Sequence, residues 1–132
     1  MMGQAPTVDD IERRARAVLR QLPEPFAGHV REIVLIVEEF ADEATLAEMG
    51  IDDPFALTGL YHGTPVGEKA GASGALPDRI HLYRRPILDE WCDTGERLDH
   101  LIAHVVIHEV GHHFGLSDAA MHALEEAAGG AA

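Results

Sequence analysis

Cysteine is almost missing from this chain: Cys92 stands alone among 132 residues. No internal disulfide can form, so a reducing compartment, the cytoplasm, is expected. Cys92 itself is expected to be a packed small side chain. Basic residues are scarce as well, with 10 Lys and Arg against 23 Asp and Glu and a formal net charge of −13. Phosphate backbones are gripped by clustered Lys and Arg, which excludes nucleic acid as a partner. The acid surplus suits basic peptides, although solubility is its commoner role. No apolar run approaches the roughly 20 residues of a membrane span. Nor does the stretch Met1 to Asp10 carry the basic and apolar regions of a secretory signal. Neither a membrane nor export is expected. The glycine-bearing stretch 66–77 lacks Gly-Lys-Ser/Thr and therefore does not cradle phosphate; it reads as a mobile surface connection.

What remains is the composition of an ordinary globule, 46% hydrophobic. At this length one domain is expected over residues 1–132, burying about two thirds of its unfolded surface. Residues 1–6 and about 127–132 read as flexible tails.

Against this plain background, residues 108–118 concentrate the chemistry: His-Glu-Val-Gly-His-His-Phe-Gly-Leu-Ser-Asp. On a helix, His108 and His112 stand four residues apart, about 40° around the axis and about 6 Å along it. Their imidazoles project from one face and can close on a single divalent ion, zinc above all. Glu109, turned by about 100° from the first ligand, misses the metal and reaches a metal-bound water as general base. Catalytic zinc takes three protein ligands and leaves a fourth position for water. Gly115 suits a positive-φ helix end that reverses the chain, and Asp118 then offers a hard oxygen as third ligand. His113 competes for that role but points about 100° away from His112.

Chance is a poor explanation of the pattern. A shuffled chain would hold His-Glu-x-x-His roughly once in twenty, and the added Gly115 and Asp118 make that roughly once in two thousand. The bland reading is an amphipathic helix with polar histidines. Leu101, Ile102, Val105, Val106 and Ile107 argue against it, because buried polar groups among them need partners.

The motif, together with the run 76–87 (Leu-Pro-Asp-Arg-Ile-His-Leu-Tyr-Arg-Arg-Pro-Ile), resembles the small bacterial zincin-like metallopeptidases, which look like stripped-down metzincins. The likeness runs from about Val8 to about Glu125. It implies one catalytic Zn2+ on His108, His112 and Asp118, other divalent metals remaining open, with Glu109 as acid/base and a peptide or protein as substrate. Two further readings stay open. One is a non-catalytic metal-binding or regulatory module of the same fold. The other is a metal-dependent hydrolase of a non-peptide amide or ester.

The expected fold class is α+β, a small mixed sheet of about three or four strands packed with helices. Thr7 or Asp9 caps a first helix, in which Ile11, Ala15, Val18, Leu19 and Leu22 recur at helical spacing. Pro23 and Pro25 stop it. The β-branched run Ile33–Val37 is a strand. Glu43–Met49 forms a short helix ended by Gly50. Phe55–Tyr61 and Ile80–Tyr83 are two further strands. Asp93 and Glu96 cap a long motif helix over 94–114, and a last helix starts at Ser117 or Asp118.

Lesser features complete the expectations. His100 and His104 extend the stripe of His108; His104 is expected as a supporting residue rather than a ligand. Met121 lies too close to Asp118 for a metzincin Met-turn, so core packing is its expected role. Ile80–Tyr83 is either a substrate-pairing edge strand, as the resemblance implies, or an internal one. Tyr61 and Tyr83 are candidates to stabilise an oxyanion.

Overall fold

A computed structural model describes residues 4–63 and 78–129. The order is α1 (Val8–Arg20), α2 (Phe26–Val30), β1 (Val34–Glu38), α3 (Glu43–Met49), a 3₁₀ turn (Pro54–Ala56), β2 (Gly59–His62), β3 (Arg79–Tyr83), α4 (Arg84–Thr94), α5 (Leu98–Phe114) and α6 (Asp118–Gly129). This is the expected α+β class. The glycine-bearing stretch 66–77 and residues 1–3 lie outside the described residues.

Local chemistry sets most boundaries. Thr7 caps α1 in a full capping box with Asp10, so two orphan N–H groups at the helix start are satisfied reciprocally. Ile11, Ala15, Val18 and Leu19 form its buried face. Asp42 caps α3 by accepting from the Thr45 N–H at 2.8 Å, and Gly50 ends it at φ 67°.

The sheet has the order β1-β3-β2. β3 pairs parallel with β1, Leu35 opposite Ile80, and antiparallel with β2, Tyr61 opposite Ile80. β3 is therefore internal, and β2 is the edge that lies against α5. Alternation along β3 divides its side chains between two clusters. Ile80 and Leu82 enter the main core with α1 and α5, whereas Tyr83 joins Ala41 and Leu57 in a smaller cluster on the opposite face.

α5 packs on α1, α6, β2, β3 and α4. Leu101, Ile102, Val106, Ile107 and Val110 on it are at most 1% exposed. Burying side chains of this size is worth about 1.5–3 kcal/mol each, which makes the motif helix the centre of the core.

Several expectations need correction. The motif helix starts at Leu98, not 94, because Gly95 takes φ 70° and ends a separate helix, α4. Asp93 and Glu96 therefore form no capping pair for α5. The strand expected over Phe55–Tyr61 is shortened to Gly59–His62. Pro54 opens a 3₁₀ turn, with the Asp53 side chain accepting from the Phe55 N–H at 3.0 Å. The carbonyl of Pro6 accepts a 2.6 Å hydrogen bond from Arg84 Nε, and α6 runs to Gly129. Cys92 is exposed rather than packed.

Candidate active site

α5 is buried on nearly every side except one line. His100, His104, His108 and His112 occupy that line at four-residue steps, with buried apolar residues between them. Side-chain exposure is 37% at His108 and 58% at His112, so both imidazoles open to solvent.

Glu109 turns the other way. Its side chain is 10% exposed, and its carboxylate accepts the backbone N–H of Tyr61 on the edge strand β2. Oε1 of Glu109 is buried without a hydrogen-bond donor and lies 3.4 Å from His112 Nδ1. Burial pushes the Glu109 pKa above the usual carboxylate range, while His112 and the Tyr61 N–H pull it back in part. A carboxyl with a raised pKa exchanges protons more readily near neutrality, as a general acid/base requires. His108 shifts downward, first through burial and then through the neighbouring His104; Glu125 opposes that shift, as does Asp118. The neutral imidazole so favoured is the form that ligates metals.

α5 ends at Gly115 with φ 66°. Leu116 N–H bonds back to the Gly111 carbonyl at 2.9 Å, the closure of a Schellman turn. The Ser117 hydroxyl accepts from the Ala120 N–H at 3.1 Å, and α6 starts at Asp118. Asp118 is exposed there, next to the last turn of the motif helix. The glycine exit is thus as the spacing foretells.

α6 also contributes Glu125, which the sequence reading passed over. Glu125 Oε1 lies 2.8 Å from His104 Nδ1, and Oε2 lies 4.0 Å from His108 Nε2. Potential ligand atoms of His104, His108 and Glu125 all fall within 4.8 Å of one another. A signal for Glu125 existed in the chain. Asp118 and Glu125 are seven residues apart, within about 20° on one helix face, so a face carrying one carries both.

His113 faces away from the stripe and is 2% exposed. Its Nδ1 lies 2.8 Å from Asp78 Oδ2 and 3.2 Å from the Tyr61 hydroxyl. The Tyr61 ring meets His113 edge-on as well, with centroids 5.4 Å apart. Tyr83 is 2% exposed, its phenol pushed up to about 12 by burial and by the Glu38, Asp42 and Glu109 carboxylates. Met121, 5% exposed, packs against Gly111 from α6.

The two imidazoles and the carboxylate gathered here are His104, His108 and Glu125, a nitrogen and oxygen donor set that zinc accepts; among the described residues, His112 and Asp118 do not join that group. The buried, undonated Glu109 oxygen beside them suits a group that takes a proton from water. The residues present therefore fit a zinc-class cation.

A mixed sheet with the His-Glu-x-x-His pair on its most buried helix defines a small zincin-type fold. The family model for zincin-like metallopeptidases matches residues 30–128, and the chain belongs to that family. No curated protein matches the chain. Among the described residues, no helix is long and apolar enough to cross a membrane.

Proposed function

We propose that the protein is a zinc-dependent peptidase in which His108, His112 and Asp118 hold the cation and Glu109 is the acid/base. The observation that carries this reading is the buried Glu109 carboxylate, which the Tyr61 N–H holds beside the histidine stripe with Oε1 3.4 Å from His112 Nδ1. A purely structural metal site has no use for such a group. When bound, zinc supplies Lewis-acid polarisation of the scissile carbonyl and acidifies water in the site towards about 7.

The chain's own residues do the rest. The Tyr61 N–H holds the Glu109 carboxylate beside the ligand stripe. Glu109 takes a proton from the attacking water as the water oxygen bonds to the peptide carbonyl carbon. As the C–N bond breaks, the same carboxyl delivers that proton to the leaving nitrogen. Burial of Glu109 matches its affinity for the proton to both tasks. The substrate is a peptide or protein, and the compartment is the cytoplasm, in keeping with the lone cysteine.

Purified protein is to be analysed for metal and assayed on a peptide library beside Glu109→Ala and Asp118→Ala. Glu109→Ala is expected to keep about one equivalent of zinc and lose at least about 10²-fold in cleavage. Asp118→Ala is expected to lose cleavage, and with Glu125→Gln added it is expected to lose the metal as well. Cleavage by Glu109→Ala at the wild-type rate refutes the acid/base role, and full metal retention by the Asp118→Ala, Glu125→Gln double variant refutes the third ligand.

A further inference from the structure

The histidine stripe of α5 is longer than one metal site needs. His104 sits one turn before His108, its ring centroid 4.2 Å from that of His108. Two turns into α6, Glu125 aims one carboxylate oxygen at each imidazole, 2.8 Å from His104 Nδ1 and 4.0 Å from His108 Nε2. We propose that His104, His108 and Glu125 form a second divalent-cation position, adjoining the motif position and competing with it for His108. It takes borderline cations such as Zn2+ or Co2+, because its donors are two imidazoles and one carboxylate. The inference rests on the motif reading only through the shared His108.

Geometry supports the site. Metal–ligand bonds of about 2.1 Å in a tetrahedral site place ligand atoms about 3.4 Å apart. Here the three donor atoms lie within 4.8 Å of one another, and the 2.8 and 4.0 Å contacts bracket that ideal. Small side-chain rotations therefore close the shell. Glu125 is 24% exposed and His104 50% exposed at the side chain, so the position is reachable from solvent and keeps room for water as a fourth ligand. The residues come from two helices, and the Gly111–Met121 contact holds those helices in close register. The two positions share a single imidazole. A cation bound between α5 and α6 takes His108 away from His112 and Asp118, so filling the second position empties the first. The two positions therefore hold one cation between them, in a proportion set by their relative affinities.

The test separates this site from the motif site by removing His112. Co2+ binding to the full chain is followed by visible absorption and by calorimetry in His112→Gln, alone and combined with Glu125→Gln or with His104→Gln. His112→Gln is expected to bind one equivalent of Co2+ with an absorption spectrum of nitrogen and oxygen ligation. Each added substitution is expected to weaken that binding at least tenfold. Circular dichroism checks folding, and either double variant suffices if the other fails to fold. Absence of Co2+ binding in His112→Gln overturns the proposal, as does binding there that neither added substitution weakens. In both cases the contact between His104 and Glu125 is a hydrogen bond only. None of these outcomes depends on peptide cleavage, so they leave the peptidase reading to be judged by Glu109→Ala.

Discussion

Gly111, inside the motif, has a task that the motif pattern does not reveal. A Cβ at Gly111 would lie 2.1 Å from Met121 Sδ and 2.7 Å from Met121 Cγ. Gly111→Ala sets two effects against each other. Alanine in a helix interior gains about 1 kcal/mol over glycine. Overpacking a well-filled core costs about 1–3 kcal/mol or more, and forcing Met121 off its rotamer falls in the same range. Methionine normally absorbs such pressure by bending at its end. Here the contact reaches Cγ, close to the α6 backbone, so the helix must move as well. The steric effect wins, and the expected net loss is about 1–2 kcal/mol, or about 3–8 °C in Tm for a chain of this size. The assay is a double-mutant cycle with Met121→Ala in urea denaturation. Met121→Ala alone is expected to cost about 2–5 kcal/mol through the cavity it leaves. In that background Gly111→Ala is expected to stabilise by about 1 kcal/mol, giving a coupling of about 2 kcal/mol or more. A Tm raised by Gly111→Ala in the wild-type background, or a coupling below about 0.5 kcal/mol, refutes the reasoning.

Two further outcomes can be measured. The native state holds the Tyr83 proton more tightly than the unfolded chain, with a pKa of about 12 against an ordinary 10.0. Stability from that residue is thus complete below pH 10 and is lost as pH rises from 10 to 12, a change of about 2–3 kcal/mol. Urea midpoints across that window are expected to fall for wild type relative to Tyr83→Phe, and parallel curves for the two would contradict the burial argument. Gly59→Ala places a Cβ 2.8 Å from Val105 Cγ1 and 3.3 Å from the His81 carbonyl oxygen, displacing β2 from α5. A stability loss of about 1–3 kcal/mol is expected, with a further drop in cleavage because β2 carries the Tyr61 N–H to Glu109. Unchanged activity in a folded Gly59→Ala protein would show that this N–H is dispensable.

Where residue chemistry is local, the sequence sufficed. The Thr7 cap, the Gly50 and Gly115 helix ends, the β-branched strand and the burial around the motif each depend on neighbours within a few positions. Residues 84–93 carried no assignment in the sequence; Pro86 stands in the first turn of α4, where a missing N–H costs nothing. Gly95, inside the expected start of the motif helix, instead ends α4 and moves that start to Leu98. The order β1-β3-β2 depends on contacts far apart in the chain, so periodicity alone left Ile80–Tyr83 as either edge or interior. Glu125 was legible only as a second position on the Asp118 face. Its meeting with His104 requires the turn at Gly115 to fold α6 back along α5, and no spacing rule states that angle.

The left-handed turn at Gly115 has an electrostatic result as well as a geometric one. It brings the carboxyl end of one helix within three residues of the amino end of the next. Those ends carry about half a negative and half a positive charge respectively, from aligned peptide dipoles. His112 lies in the last turn of α5 and Asp118 in the first turn of α6. The backbone thus places a negative pole under the His112 imidazole, which draws a cation, and a positive pole beside the Asp118 carboxylate. That polarity belongs to the peptide groups and survives any exchange of side chain at position 118.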